Sequence, residues 1–230
     1  MKIIACGDVH GNWGPLNELI NKKHPDIILQ CGDYGWWPHY HNTYKFDKRK
    51  KFDQFGIKNG DTKIYWCPGN HENWADLKCL TDNEIVEIQD NIFYCPFGST
   101  LDLPTGEKVL FAGGASSIDA AWRTEGETWW RDEIISQHEM DQLPDCKVDI
   151  VVSHTVPRKW IEHLMGKLYY GDLDAKYSDS STIALQIVEE RYQPSKWFSG
   201  HFHAFKEIHF KNCLWISLSM VGYASWWREI

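Results

Sequence analysis

The chain has 230 residues, 43% of them hydrophobic, which is enough to bury a sizeable core in one compact domain spanning residues 1–230. Its formal net charge of -8 argues against a tightly held long nucleic acid, because such binding rests on Lys and Arg neutralising phosphates. The 7 Cys are odd in number and none form a CxxC pair, no run approaches ~18 apolar residues, and the first residues turn polar too soon for a signal peptide; a cytoplasmic protein with reduced thiols and no membrane span is expected.

Residues 2–6 read as a short buried strand that runs into Gly7-Asp8-Val9-His10-Gly11. Gly14-Pro15 opens a helix with Leu16, Leu19 and Ile20 on one face. Residues 26–31 form a second apolar strand ending in Gly32-Asp33, and a polar helix is predicted over about 44–55. Residues 63–67 form a third strand ending in Pro68-Gly69-Asn70-His71-Glu72. Short strands follow at 84–88, 92–94, 99–103 and 108–112, the last two joined by a hairpin turn over 104–107. Residues 113–130 are irregular with helical pieces, and 149–152 form a buried strand that leads into Ser153-His154. Residues 181–192 read as an amphipathic helix with Ile183, Ala184, Ile187 and Val188 on one side. A strand at 196–198 leads into Ser199-Gly200-His201-Phe202-His203, and 205–210 with 213–218 form a closing hairpin around Lys211-Asn212. The order suggests two sheets with helices outside.

Five polar clusters each fall just past an apolar strand, where ligands bind in α/β sheets. They are Asp8-Val9-His10, Gly32-Asp33, Gly69-Asn70-His71-Glu72, His154, and Gly200-His201-Phe202-His203. Together they offer carboxylates, an amide oxygen and imidazoles without thiolate, a set that suits divalent Mn, Fe, Co, Ni or Zn. Residues i and i+2 of an extended segment point the same way, so Asp8 with His10, and His201 with His203, are natural pairs. The Gly ahead of most clusters is expected to let the backbone turn without steric cost.

In this order the five blocks resemble the calcineurin-like metallophosphoesterases, whose pattern is D-x-H, GD, GNH(E/D), H and GHxH. The match runs from Asp8 to His203. The resemblance implies an α/β fold, a four-layer αββα sandwich of two mixed sheets flanked by helices, with two divalent cations at the strand ends, Mn first among them. Asp8, His10 and His203 would hold one cation and Asn70, His154 and His201 the other, with Asp33 bridging. His71 would be the non-ligand catalytic histidine. The implied reaction is hydrolysis of a small phosphate mono- or diester by a metal-bound hydroxide. Two cations about 3.5–4 Å apart clamp both the attacking and leaving oxygens of such a displacement.

The residues after Asp33 are Tyr34-Gly35-Trp36-Trp37, so the arginine that protein phosphatases of the family carry there is missing and protein phosphatase activity is not expected. Arg123, in an insert over 113–131, is a candidate phosphate contact, with an ion pair to Asp119 or Glu125 as the plainer alternative. Among 13 Trp, the doublet Trp36-Trp37 lies nearest a candidate ligand and is read as a possible stacking wall; packing is the plainer role for this doublet and for Trp129-Trp130 and Trp226-Trp227. Glu72 is expected either to orient His71 or a ligand, or to serve as a helix N-terminal charge. Two other functions stay open at this stage. One is a non-catalytic metal-binding interaction protein on the same fold, and the other is a nuclease that uses the basic residues 45–51 as a track.

Overall fold

In the computed structural model, β1 (Ile3–Cys6), β2 (Ile27–Gln30) and β3 (Lys63–Trp66) pair in parallel. The description covers residues 1–37, 56–81, 83–165 and 179–230. The expected helix over 44–55 lies outside the described residues. Every residue of β1 and β2 is buried, and the pleat sorts them by face. Ile3 and Ala5 point one way with Ile27 and Leu29, into a core between two sheets. Ile4 and Ile28 point the other way, where Leu16, Leu19 and Ile20 of the helix α1 (Trp13–Lys23) cover them.

The first sheet continues with β5 (Ile92–Tyr94), parallel to β3, and is closed at its edges by two antiparallel strands, β4 (Val86–Gln89) on β5 and β12 (Trp227–Glu229) on β1. Its order is β12-β1-β2-β3-β5-β4. The second sheet contains β6 (Thr100–Asp102), β7 (Lys108–Ala112), β8 (Ile150–Ser153), β9 (Lys196–Ser199), β10 (Lys206–Phe210) and β11 (Cys213–Ser217), in the order β10-β11-β9-β8-β7-β6. Its four inner strands are parallel and its edges antiparallel. Val109, Phe111, Ile150, Val152 and Phe198 face the first sheet. Trp197 and Trp215 face out, where Trp160 and the helix Ser180–Tyr192 cover them. Among the described residues the result is a four-layer αββα sandwich of two six-stranded mixed sheets.

The turn over 104–107 joins β6 to β7 as expected, with Gly106 at φ 91. Two details differ from the sequence reading. In the helix Ser180–Tyr192 the buried face is Ser181, Ala184, Leu185 and Val188, whereas Ile183 and Ile187 are exposed at 46% and 51%. The i, i+3, i+4, i+7 stripe that meets Trp160 and Trp215 includes polar residues, so apolarity alone misplaced it. Strand β12 was not expected, because its three residues are partly exposed and carry no alternating apolar pattern. All seven cysteines are free, and no helix among the described residues is long and apolar enough to cross a membrane.

Asp8, Asp33 and Asn70 follow β1, β2 and β3, and His154 and His201 follow β8 and β9. These are the carboxyl ends of parallel strands in two facing sheets, so one edge of the sandwich collects all five clusters.

Candidate metal centre

Backbone strain concentrates at this edge. His10, Asp33, His201 and His203 have φ of 48, 50, 67 and 51, in the left-handed region that non-glycine residues seldom adopt. Each such residue costs on the order of 1–3 kcal/mol and persists only where its surroundings fix it. Here the fixing is visible. The N–H groups of Val9 and His10 donate to the Asp33 carbonyl at 3.0 and 2.7 Å, tying the loops after β1 and β2 together. The His201 N–H donates to Asp8 Oδ1 and Oδ2 at 3.0 and 3.1 Å, which ties the two sheets.

The glycines of the motifs serve two purposes. Gly32, at φ 87, turns the chain as expected. Gly69 and Gly200 instead make room for the carboxylates: a Cβ on Gly69 would lie 2.2 Å from Asp33 Oδ1, and one on Gly200 would lie 2.0 Å from Asp8 Oδ1. Glu72 hydrogen-bonds to neither the His71 ring nor a candidate ligand side chain, but it braces the loops that carry two of them. Fully buried, it accepts hydrogen bonds from the backbone N–H groups of Gly35 and Gly69, joining the loops that carry Asp33 and Asn70. Burial, then Asp33, raises its carboxyl to about 8.

The donor atoms gather in two groups. In the first, His203 Nε2 lies 2.9 Å from Asp8 Oδ2 and 3.1 Å from His10 Nε2, and His10 Nε2 lies 3.8 Å from Asp8 Oδ2. In the second, Asn70 Oδ1 lies 3.0 Å from both His154 Nε2 and His201 Nδ1, which are 3.2 Å apart. Asp33 Oδ2 stands between them, 3.5 Å from His10 Nε2 and 3.4 Å from His154 Nε2. Donors bound at ~2.1 Å to one first-row cation lie about 3.0 to 3.4 Å apart, depending on geometry. One atom each of Asp8, His10, Asp33 and His203 all fall within 4.8 Å of one another, a His/Asp group that resembles a metal site. Facing imidazole nitrogens at 3.1 and 3.2 Å repel unless a proton or a cation lies between them, so the donor set fits the cations that the motif implies.

The electrostatics point the same way. Burial opposes a charge on His154, yet Asp33 and Asp8 outweigh it and raise this imidazole to about 10. Burial also opposes a charge on Asp33, but His154, His71 and His10 hold its carboxyl well below the usual range. Burial, reinforced by His154, pushes His201 down to about 3. Two buried carboxylates therefore draw positive charge into the cluster. His154 donates its Nδ1–H to the Cys31 carbonyl at 2.8 Å, which leaves the Nε2 lone pair for the cluster.

His71 borders the cluster without joining it. Its ring centroid is 5.3 Å from that of His10, and its N–H donates to Asp33 Oδ1 at 2.8 Å. Burial lowers its imidazole below the usual value, with Arg123 adding to the effect and Asp33 opposing it. Arg123 makes the ion pair that was the plainer reading of the sequence, and it also lies at the candidate site. Its Nε pairs with Asp119 at 2.9 Å, and its Nη2 lies 2.6 and 2.9 Å from the ring nitrogens of His71. A cavity of about 460 Å³ opens there; its described lining is His10, Gly11, Gly35, Trp37, His71, Arg123 and Thr128.

Trp37 lines that cavity and donates its indole N–H to the His71 carbonyl. Trp36 does not fit the expected stacking wall: it is 2% exposed and turned toward Trp66, with ring centroids 6.2 Å apart, because successive residues of an extended segment point to opposite sides. Trp130 and Trp226 are likewise buried. Ser117 and Glu133 were missed altogether. Ser117 Oγ accepts from Asn70 Nδ2 and donates to Glu133, contacts that no local pattern announces.

Residues 1–205 match the sequence model of the family described as calcineurin-like phosphoesterase, and the chain belongs to that family. No match was found among curated proteins. Among solved structures, the chain is similar to phosphopantetheinyl hydrolase (PptH) from Mycobacterium tuberculosis, with 15% identity, a TM-score of 0.55, and coverage of 100% of this chain and 95% of that one. It is also similar to the protein TT1561 of Thermus thermophilus, with 12% identity, a TM-score of 0.51, and coverage of 95% and 89%. At these identities the likeness concerns the fold.

Proposed function

We propose that this chain is a dinuclear-metal phosphoesterase acting on a small phosphate mono- or diester. The observation that carries the reading is Asp33 Oδ2, which lies within 3.5 Å of a donor from each histidine group. Asp8, His10 and His203 would hold one cation and Asn70, His154 and His201 the other, with Asp33 shared. When bound, the pair supplies an acidified water and a positive clamp on the phosphoryl group.

The chain's own groups do the rest. Arg123, only 12% exposed and held at Nε by Asp119, directs its Nη2 edge at the cavity and binds phosphoryl oxygens. The backbone of His71 is held on both sides, by Asp33 and by the Trp37 indole, so its ring stands fixed beside the cluster. From there it hands a proton to the leaving oxygen or hydrogen-bonds the phosphoryl oxygens. Trp37, with Gly11 and Gly35, forms an apolar wall for the alcohol half of the ester.

The test is turnover of p-nitrophenyl phosphate and bis-p-nitrophenyl phosphate with Mn²⁺. Metal-dependent hydrolysis of either supports the reading. Folded, metal-loaded protein that hydrolyses neither is a binding protein on the same fold, and cleavage confined to single-stranded DNA or RNA makes it a nuclease.

A further inference from the structure

Asn70 differs from the other six candidate ligands in having two chemically opposite ends. Its amide oxygen attracts a cation, whereas its NH₂ group repels one. If the amide were turned over, N–H groups would face His154 and His201 and that half of the site would admit no cation. The orientation is fixed on the far side of the amide. Asn70 Nδ2 donates to Ser117 Oγ at 3.0 Å, Ser117 Oγ donates to Glu133 Oε2 at 2.9 Å, and the Ser117 N–H donates to Glu133 Oε1. Glu133 is 1% exposed. A serine hydroxyl has one proton. With that proton committed to a buried carboxylate, only lone pairs face Asn70, and these accept from NH₂ but repel a carbonyl oxygen.

The backbone holds the relay in place. The Gly114 N–H donates to the Pro68 carbonyl at 2.8 Å, two residues before Asn70, and the Ala115 N–H donates to the Glu133 carbonyl at 2.9 Å. On the other flank, the Ser116 N–H donates to Asp179 Oδ2 at 3.0 Å. The irregular segment after β7 is thus pinned against the Asn70 loop, the Glu133 turn and the start of the helix Ser180–Tyr192.

We propose that Ser117 and Glu133 are positioning residues that lock the Asn70 amide with its oxygen toward His154 and His201, and so set the affinity of that half of the centre for its cation. The inference rests on the reading of Asn70, His154 and His201 as ligands. Glu133→Gln is nearly isosteric but presents an NH₂ to Ser117, turning the hydroxyl proton toward Asn70; Ser117→Ala removes the relay.

The experiment is Mn²⁺ titration by calorimetry, with bound-metal stoichiometry, on wild type, both single variants and the double variant in mildly alkaline buffer. Wild type is expected to bind two Mn²⁺ per chain. Each single variant should weaken one of the two by about ten- to a hundredfold and leave the other unchanged. The double variant should bind no more weakly than the worse single, because both changes break one chain of hydrogen bonds. Three results overturn the positioning role while leaving the ligand reading intact: single variants that bind both ions like wild type, losses that add in the double variant, or equal weakening of both ions with a lowered thermal midpoint. Wild-type protein that binds no Mn²⁺ brings down the ligand reading, and the inference with it.

Discussion

The two halves of the candidate metal centre have similar donors in unlike surroundings. Asn70 and His154 are 5% and 0% exposed, and both are held from behind, by Ser117 and by the Cys31 carbonyl. His10 and His203 have side chains 26% and 42% exposed and are held mainly by Asp8, Asp33 and each other. The open half also borders the cavity that contains His71 and Arg123. Dry, pre-oriented donors favour retention of a cation, while a site that must admit water and substrate needs an unfilled position. On the function proposed above, the buried half would hold its cation and the open half would exchange with substrate.

The change that most strongly breaks this division is Asp33→Asn, because Asp33 Oδ2 faces both halves. Replacing the shared carboxylate is expected to lower bound metal at both positions and to bring metal-dependent turnover down to background. Metal analysis beside a p-nitrophenyl ester assay checks this; a variant with two cations and full activity contradicts the sharing. The next largest effect separates the halves. His154→Ala should lose the retained cation and leave at most the exchangeable one, whereas His203→Ala should keep the retained cation and lose only the ion that wild type is expected to surrender on dialysis. The affinity lost at the altered half should exceed about a hundredfold, the upper range for groups that merely orient a ligand. If dialysis strips both wild-type ions at one rate, the two halves are equivalent and the comparison fails.

His71→Ala sharpens the claim that chemistry belongs to the open side. Metal content should stay at the wild-type level, since His71 meets Asp33 only through its backbone N–H. Turnover of esters with poor leaving groups should fall by about a hundredfold, as for loss of a general acid, and that of nitrophenyl esters by less. Equal slowing of both classes would leave His71 as an electrostatic contact with no proton to give.

The sequence announced the two halves unequally. All seven candidate donors that the fold brings together were legible, because each follows a strand too apolar to belong at a surface and ends it with residues that a core would not accept. The place of Asp33 between the two groups was expected only from the family pattern, since spacing cannot say which of two strand ends stands in the middle. Trp36 and Trp37 read alike in sequence; the fold sends one to Trp66 in the core and the other to the cavity. The helix Ser180–Tyr192 hid its buried face because Ser181 and Glu189 lie on it. Ser117 and Glu133 were illegible for a related reason. They sit 16 residues apart in an irregular segment, and polar residues there look like solvent-facing ones until the fold turns them inward.

The smallest expected effect concerns what it costs to keep Glu133 behind the buried half. Burial outweighs the hydrogen bonds from Ser117 and raises its carboxyl from the ordinary 4.5 to about 7. A carboxyl raised on folding is one whose proton the folded state binds more tightly than the unfolded chain does. Its stabilising contribution is therefore complete below 4.5 and is lost as pH rises through about 7. Glu133→Gln has no such titration. The difference in unfolding free energy between wild type and this variant, measured from urea midpoints of metal-free protein, should move against wild type between those two pH values and level off above them. A carboxylate kept ionised across that window would give a flat difference, and the buried half would then be held at no electrostatic cost.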